Sequence, residues 1–320
     1  MKWINRRHLF DPSQYTLSNG CAEFAQSPQT LVFDDFVRVY FSTRKKEVHS
    51  GKSLSMIAFA DFDKEFKKVI KVSSETVIEL GELGSFDEHG IFPINILRHD
   101  NKVWAYTCGW SRRVSVSVET STGLAYSIDG GNRFEKVGTG PVLTSSLNEP
   151  FLVGDSFVQV YDGVFHMWYI FGQRWLKPTD TEPAARVYKI AHAVSADGIH
   201  WQKEEGQQII EDALNIDECQ ALPTVTKIGN RYHMYFCFRE ATDFRNNHER
   251  GYRLGYAWSD DLVNWTRNDE LGGMHKSASG WDADMMCYPH IFQCDEKVYL
   301  LYNGNEFGRM GFGIAELEQE

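Results

Sequence analysis

Acidic side chains recur along this chain at a spacing close to 65 residues. Glu23, Glu88, Glu218 and Asp284 fall on this spacing, and Val153 occupies the remaining position. Carboxyl groups gathered in one place can cleave a glycosidic bond, because one protonates the leaving oxygen while another acts as base or nucleophile. If the spacing reflects a structural repeat, these acids lie in one ring and that chemistry becomes available.

Three further columns of residues keep the same spacing, which indicates an internal repeat. The first opens a β-rich run at Pro28, Pro93, Val158, Pro223 and Pro289, with intervals of 65, 65, 65 and 66 residues. The second is an aromatic strand centred on Tyr40, Tyr106, Tyr169, Phe236 and Tyr302. The third is a small-residue strand around Ala58, Ala125, Ala193, Ala257 and Ala315. Each repeat therefore favours several short strands separated by Gly, Asp and Asn.

A unit of this length that holds four short strands is typical of a propeller blade. The sequence predicts an all-β fold, a single five-bladed β-propeller over residues 1–320, with four-stranded antiparallel blades around a central channel. The blades are expected near residues 22–80, 86–143, 149–210, 217–270 and 281–318. The last unit ends after three strands, so residues 2–10 are expected to complete it, because an unpaired edge strand invites aggregation.

The first strand of each blade lines the channel of a propeller, so acids placed before it should meet at one mouth of the channel. The catalytic candidates are Glu218, Asp87, Glu23 and Asp284. Crowded carboxylates resist joint ionisation, so at least one pKa in such a set should rise. The alternative is that each acid caps a strand end or pairs with an arginine.

Cationic and aromatic residues are expected to complete the site at the same mouth. Arginine forks suit carboxylate and phosphate groups, and an aromatic ring can stack on a sugar face. The substrate-binding candidates are Arg44, His89, Trp110, Asp155, Trp175, Arg239, Arg245, Arg253, Tyr288 and Asn303. Two alternatives stay open, since the arginines could pair with the acid ring and the tryptophans could be buried between blades.

Composition narrows the choice of partner. With 33 Lys+Arg against 44 Asp+Glu the net charge is −11, which disfavours nucleic acid and an anionic membrane surface. The first ten residues lack a signal-peptide core and the six cysteines form no CxxC pair, so a cytoplasmic protein with reduced thiols is expected. His89 and His290 lack a tight ligand motif, so no metal is expected. No cofactor is expected, phosphate is a candidate co-substrate, and the oligomeric state is not predicted.

Several segments resemble the five-bladed propeller glycosidases, the superfamily that unites glycoside hydrolase families 32, 43, 68, 117 and 130. The segments are GSFDEHGIFP, AVSADGIHW, YRLGYAWSDDLVNW, GWDADMMCYPHIF and YLLYNGNEFGRMGFGIAEL. Family 130-like and family 32-like proteins of bacterial polysaccharide gene clusters are the most similar. The resemblance extends from about Ala22 to Leu317 and implies an oligosaccharide or glycoside substrate.

The resemblance also implies a set of acids at the channel mouth, best matched by Asp87 and Glu218, with Asp284 as a third. The chain lacks the Asn-Asp-Pro-Asn-Gly opening of better-known members, and Glu23 stands where Asp is usual. The leading hypothesis is hydrolysis or phosphorolysis with Glu218 as general acid, Asp87 or Glu23 as base or nucleophile, and Asp284 tuning a pKa or holding a sugar hydroxyl. Glu218→Gln is then expected to abolish turnover while folding stays nearly intact. The alternatives are a non-catalytic glycan-binding propeller and a sugar-transferring or modifying enzyme of surface polysaccharide synthesis.

Overall fold

The computed structural model describes residues 1–48, 50–177, 179 and 183–319. Nearly all of its regular structure is β-strand, as expected from runs of β-branched and aromatic residues. Short helical turns stand at Pro12–Gln14, Ser18–Gly20, His248–Arg250, Asp269–Gly272 and Asn305–Gly308. Within these residues no helix has the length and apolar character needed to cross a bilayer.

The strands form five antiparallel groups of four, called units 1 to 5 here, which follow one another along the chain; one parallel bridge, Ser55 to Gly90, joins units 1 and 2 into a continuous sheet. Unit 1 contains β2 (Glu23–Val32), β3 (Phe36–Lys46), β4 (Ser53–Asp63) and β5 (Val69–Val72). Unit 2 contains β6 (Gly90–His99), β7 (Lys102–Arg112), β8 (Val118–Ser127) and β9 (Glu135–Lys136). Unit 3 contains β10 (Val153–Tyr161), β11 (Val164–Leu176), β12 (Ala185–Ser195) and β13 (Gln202–Lys203). Unit 4 contains β14 (Cys219–Ile228), β15 (Arg231–Arg239), β16 (Arg253–Ser259) and β17 (Thr266–Arg267).

Unit 5 joins the two ends of the chain. It contains β18 (Cys287–Cys294), β19 (Lys297–Asn303) and β20 (Phe312–Leu317), and its outer strand is β1 (Trp3–Phe10). β1 pairs antiparallel with β20, and the buried Phe10 ring stacks on Phe312 with 5.3 Å between centroids. Trp3 Nε1 donates a hydrogen bond of 3.0 Å to Tyr235 Oη of unit 4. The N-terminal strand therefore holds units 4 and 5 together.

The first strands of the units pack against one another in series. β2 contacts β6, β6 contacts β10, β10 contacts β14, β14 contacts β18, and β18 returns to β2. Polar side chains connect them, since Asn95 donates to Gln29 Oε1 (3.3 Å) and accepts from the backbone N of Val158 (3.0 Å). His290 Nε2 accepts from the backbone N of Thr30 (3.1 Å), and burial lowers the pKa of His290 to about 3. The neutral imidazole thus serves as a structural acceptor.

Every first strand carries a β-bulge at an equivalent place. The strand register shifts at Ser27–Pro28, Phe92–Pro93, Asp155–Ser156, Leu222–Pro223 and Tyr288–Pro289. Proline suits such a position because it has no N–H to give to the strand ladder. The proline equivalent in unit 3 is Ser156, two residues before Val158, so the predicted alignment of that unit was wrong. A bulge redirects the side chain of its residue, so these five positions decide which side chains leave the plane of each sheet.

Candidate functional site

A cavity of about 410 Å³ lies at the end of the sheets where first strands begin and second strands end. All five units contribute to its lining, including Gln26 and Arg44, Phe92 and Trp110, Asp155 and Arg186, Arg239 and Arg245, and Tyr288. Four residues of the bulge column, Phe92, Asp155, Leu222 and Tyr288, line it. The bulges therefore deliver side chains from four units to one place, in a cavity large enough for a small ligand.

Aromatic rings form much of the cavity wall. Phe92 and Tyr288 meet edge to face with 5.2 Å between centroids. The Trp110 indole donates to Ser55 Oγ at 3.0 Å, which fixes the plane of its ring beside the cavity. Further rings come from Phe24, Tyr188, Phe244, Tyr252 and Phe307. Apolar and aromatic walls with few, well-placed polar groups are characteristic of small-molecule sites.

Four guanidinium groups line the cavity, those of Arg44, Arg186, Arg239 and Arg245. The ion pairs of the described residues involve other cations, so no carboxylate in this part of the chain lies within 4.0 Å of these four. An arginine remains charged at any physiological pH. The cavity is therefore strongly cationic although the whole chain carries −11.

Neutral groups hold Arg239 in place. The side chain is buried, its Nη2 donates to Tyr188 Oη (2.8 Å), and its Nη1 donates to the backbone O of Glu240 (2.7 Å). The Phe244 ring lies 3.6 Å from its Cζ, and its Nε has no hydrogen-bond partner among the residues that the structure describes. Positioning by carbonyl, phenol and ring leaves the positive charge uncompensated, so a bound anion would find it preorganised.

Arg186 and Arg245 lie in the same region of the cavity as Arg239. Within the described residues neither side chain donates a hydrogen bond, and Arg245 is exposed at the opening. Partial desolvation together with repulsion from Arg239 and Arg186 lowers the pKa of Arg245. Like charges held close together, with no carboxylate of the described residues within 4.0 Å, fit a ligand with several anionic oxygens, such as phosphate.

Asp155 is the single carboxylate among the described residues that line the cavity. It lies at the bulge of β10 with φ 51° and is 9% exposed. Burial raises the pKa of Asp155 to about 7, although Arg186 and the backbone N–H of Leu222 favour its charged form. A carboxyl that is half protonated near neutral pH can act as a general acid.

The raised pKa of Asp155 predicts a pH dependence of stability. Below pH 4 this group is protonated in folded and unfolded chains alike, and between about pH 4 and 7 only the folded protein keeps the proton. Rising pH therefore favours unfolding, and we expect this carboxyl to cost roughly 2 kcal/mol between pH 5 and 7. Urea titrations of wild type and Asp155→Asn across that range measure it, because the difference between the curves isolates this group. Parallel curves would contradict the raised pKa.

The four predicted catalytic acids do not line this cavity. Asp87 and Glu218 are buried and pair with Lys136 (2.5 Å) and Arg267 (2.6 Å). Glu23 pairs with Arg309 (3.2 Å) and Asp284 with His248 (3.0 Å), and both of these acids are about half solvated. These carboxyl groups do not converge on this cavity as predicted, because each lies beside a different basic side chain.

The buried acids form an ion pair that recurs in four of the five units. In units 2 to 5 an acid ahead of the first strand pairs with a cation of the outer strand, and the pairs are Asp87–Lys136, Glu149–Lys203, Glu218–Arg267 and Asp282–Arg6. In units 3 and 5 the central aromatic joins the pair, as Tyr169 Oη donates to Glu149 and Tyr302 Oη to Asp282. The pairs fix the inner strand to the outer strand of each unit.

The predicted binding residues divide into two groups. Those that line the cavity are Arg44, Trp110, Asp155, Arg239, Arg245 and Tyr288. The others lie outside its lining: His89 stacks behind Trp110, Trp175 packs on the hydrophobic core, Arg253 donates to the backbone O of Glu249, and Asn303 is buried between units 5 and 1. These four residues do not line the cavity, so their contact with a ligand stays a prediction. No group of three or more His, Cys, Asp or Glu among the described residues could hold a metal ion.

Sequence reasoning missed the residues at the starts of third strands. Arg186 and Tyr188 stand two residues apart on β12, so both side chains lie on one face of the strand. Tyr252 stands just ahead of β16 in the equivalent place of unit 4. In an antiparallel unit the third strand starts at the end where the second strand finishes, and this rule points to these residues.

Comparison with known proteins gave relatives in sequence and in structure, although no family model matches. The uncharacterized protein Rv1502 of Mycobacterium tuberculosis is 30% identical over 325 residues, which cover 99% of this chain and all of that protein. A β-1,2-mannobiose phosphorylase of Thermoanaerobacter sp. is 28% identical over 114 residues, 33% of this chain and 35% of the phosphorylase.

Solved structures share the fold. A glycoside hydrolase has a TM-score of 0.71 and 15% identity, over 98% of this chain and 92% of the hydrolase. A thermostable family-43 glycoside hydrolase has a TM-score of 0.65 and 13% identity, over 95% of this chain and 94% of that enzyme. β-1,2-Mannobiose phosphorylase from Listeria innocua, in complex with β-1,2-mannobiose, has a TM-score of 0.68 and 12% identity over 98% and 97% of the two chains. At these identities the likeness shows the fold alone, an all-β fold shared with these two hydrolases and the phosphorylase.

Proposed function

We propose that this chain, which belongs to the same family as the Mycobacterium tuberculosis protein Rv1502, is a glycoside phosphorylase. The observation that carries the proposal is the charge of the cavity, with four guanidinium groups and one protonatable carboxyl. Hydrolysis by the usual route needs two carboxyl groups about 5–10 Å apart. Phosphate is its own nucleophile, so a site that binds it requires only the acid.

The proposal extends to the architecture. Units 1 to 5 are the blades of a five-bladed propeller that forms a single domain over residues 1–320, with the substrate at one mouth of its channel. The series of contacts from β2 through β6, β10, β14 and β18 back to β2 supports this arrangement. Because all five units line the cavity, the site depends on closure of the whole ring.

Arg186, Arg239 and Arg245 hold phosphate, and Asp155 faces the glycosidic oxygen. A phosphate oxygen forms a bond to the anomeric carbon while the bond from that carbon to the leaving oxygen breaks. The proton of Asp155 moves to the leaving oxygen, and Asp155 is protonated again from solvent. The products are a sugar phosphate and a shortened glycoside. In the cytoplasm inorganic phosphate would be available as the co-substrate, and the proposed reaction needs no cofactor.

Asp155 also distinguishes this function from a non-catalytic glycan-binding propeller. A binding protein needs the aromatic walls but gains nothing from a buried carboxyl whose pKa is raised to about 7. Such a group costs stability once it ionises without an ion-pair partner. Its place beside an anion site is useful only if its proton is used.

The proposal is tested by the phosphate dependence of bond cleavage. With a panel of neutral disaccharides such as β-1,2-mannobiose and of disaccharides that contain a uronate, we expect at least one to yield a sugar phosphate in phosphate buffer and none to be cleaved in chloride of equal ionic strength. Arg245→Gln should raise the KM for phosphate about tenfold, the loss expected for one charged hydrogen bond.

Arg253→Gln is the matched control, because this arginine follows the same loop but lies outside the cavity lining. It should leave the KM for phosphate unchanged. Cleavage at the same rate without phosphate would show a hydrolase. Absence of any phosphate effect on melting temperature, at tens of millimolar, would contradict an anion site.

A further inference from the structure

The charges in the cavity exceed what one phosphate can balance. Arg44, Arg186, Arg239 and Arg245 contribute four positive charges, and Asp155, with a pKa raised to about 7, offsets about half a charge at neutral pH. One phosphate carries at most about two negative charges at pH 7. More than one positive charge then remains beside aromatic walls, where an uncompensated charge is costly. The occupied site therefore calls for a second anionic group.

Arg44 is the arginine that does not belong to the proposed phosphate site, because it lies in a different part of the cavity. Arg44 lies on β3 against Phe24 and Phe92 of units 1 and 2, whereas Arg239 lies at the end of β15 in unit 4. Arg44 Nε donates to Gln26 Oε1 (3.0 Å) and Nη1 donates to Ser55 Oγ, both neutral acceptors. Within the described residues its Nη2 donates no hydrogen bond. The guanidinium is thus oriented without being neutralised.

The surroundings of Arg44 suit a sugar ring. Phe24 and Phe92 flank the guanidinium, with ring centroids 5.8 Å from its Cζ, and Trp110 lines the cavity beside them. A planar guanidinium recognises a carboxylate through two parallel hydrogen bonds. One fork between aromatic rings matches a carboxylate carried on a sugar better than a second phosphate, for which the cluster at Arg239 provides several donors.

We infer that the sugar bound in this cavity is acidic, a hexuronate whose carboxylate pairs with Arg44 while phosphate occupies Arg186, Arg239 and Arg245. This inference rests on the proposed phosphorolysis and specifies its substrate class. It gives each cationic part of the cavity its own anion, and it places the glycosidic bond between them, beside Asp155.

Calorimetric titration can test the phosphate site and the uronate site at Arg44 separately. The probes are D-glucuronate, D-mannuronate and D-galacturonate, their parent hexoses, the hexose 6-phosphates and inorganic phosphate. We expect at least one uronate to bind tenfold or more tightly than its parent hexose, with phosphate present or absent. Arg44→Gln should remove this preference and Arg44→Lys, which keeps the charge but not the fork, should reduce it. Arg245→Gln should weaken phosphate and spare the uronate.

Each outcome decides the inference. Phosphate that binds through Arg245 with no tenfold preference for any uronate overturns the acidic substrate and leaves phosphorolysis standing. A uronate that phosphate displaces competitively shows one shared anion site and overturns the two-part assignment. A hexose 6-phosphate that binds more tightly than every uronate overturns the carboxylate. Loss of the phosphate site alone, with an Arg44-dependent uronate preference intact, refutes phosphorolysis but keeps the acidic ligand.

Discussion

Replacing Asp155 by asparagine should slow phosphorolysis of a natural glycoside about 100- to 10,000-fold, the usual contribution of a general acid. Asparagine keeps the size of the side chain at the bulge of β10 but has no proton to give the leaving oxygen. The measurement is kcat with saturating phosphate and substrate. An aryl glycoside with a good leaving group should lose far less rate in the variant, because its leaving oxygen needs no proton.

The pH profile gives an independent readout of the same residue. The acid must be protonated to act, so the wild-type rate should fall as pH rises above about 7, the value to which burial raises the pKa of Asp155. The residual rate of Asp155→Asn should not follow this profile. Asp284→Asn is the control, since that carboxylate lies outside the cavity lining and is about half solvated. Equal losses on natural and aryl glycosides would remove Asp155 from the role of acid.

The strands and their grouping were predictable because the information that specifies them is local. The aromatic column at Tyr40, Tyr106, Tyr169 and Tyr302 is buried in the structure, where large rings fill the space between neighbouring sheets. The predicted all-β fold with four-stranded antiparallel sheets is confirmed. The need to cover the free edge of the last unit also pointed to the N-terminus, where β1 lies against β20.

The site was less predictable because it depends on strand register. The acids were aligned by counting five residues back from each proline, as if every first strand were regular. A bulge inserts an extra residue and changes which side chain faces which way. In unit 3 the true equivalent of proline is Ser156, so Asp155 is the bulge residue of that unit. The bulge residues at the same place in units 2, 4 and 5 are Phe92, Leu222 and Tyr288. Residue types alone could not locate the bulge.

The roles of Asp87 and Glu218 were hard to predict for a different reason. A carboxylate held in an internal ion pair has the same sequence signature as one that faces a ligand. Their partners Lys136 and Arg267 both stand 49 residues further along the chain. An acid and a base at equal separation in two repeats were a usable signal for a structural pair.

Glu218→Gln should destabilise the protein by about 3–5 kcal/mol, the cost of removing one partner of a buried ion pair. Glu218 is fully buried, pairs with Arg267 at 2.6 Å, and accepts from the backbone N–H groups of Ala213 (2.8 Å) and Leu214 (2.9 Å). A neutral amide leaves Arg267 without its buried counterion, although Asp269 remains beside it. Equilibrium unfolding in urea measures the loss.

Glu23→Gln is the matched control, because Glu23 forms a solvated pair with Arg309 and should cost at most about 1 kcal/mol. When Glu218→Gln is assayed at a temperature where it remains folded, its kcat should stay close to wild type, since Glu218 does not line the cavity. The structural role thus predicts lost stability with retained turnover, the reverse of what a catalytic acid would give. A variant that keeps wild-type stability but loses turnover would return Glu218 to the chemistry.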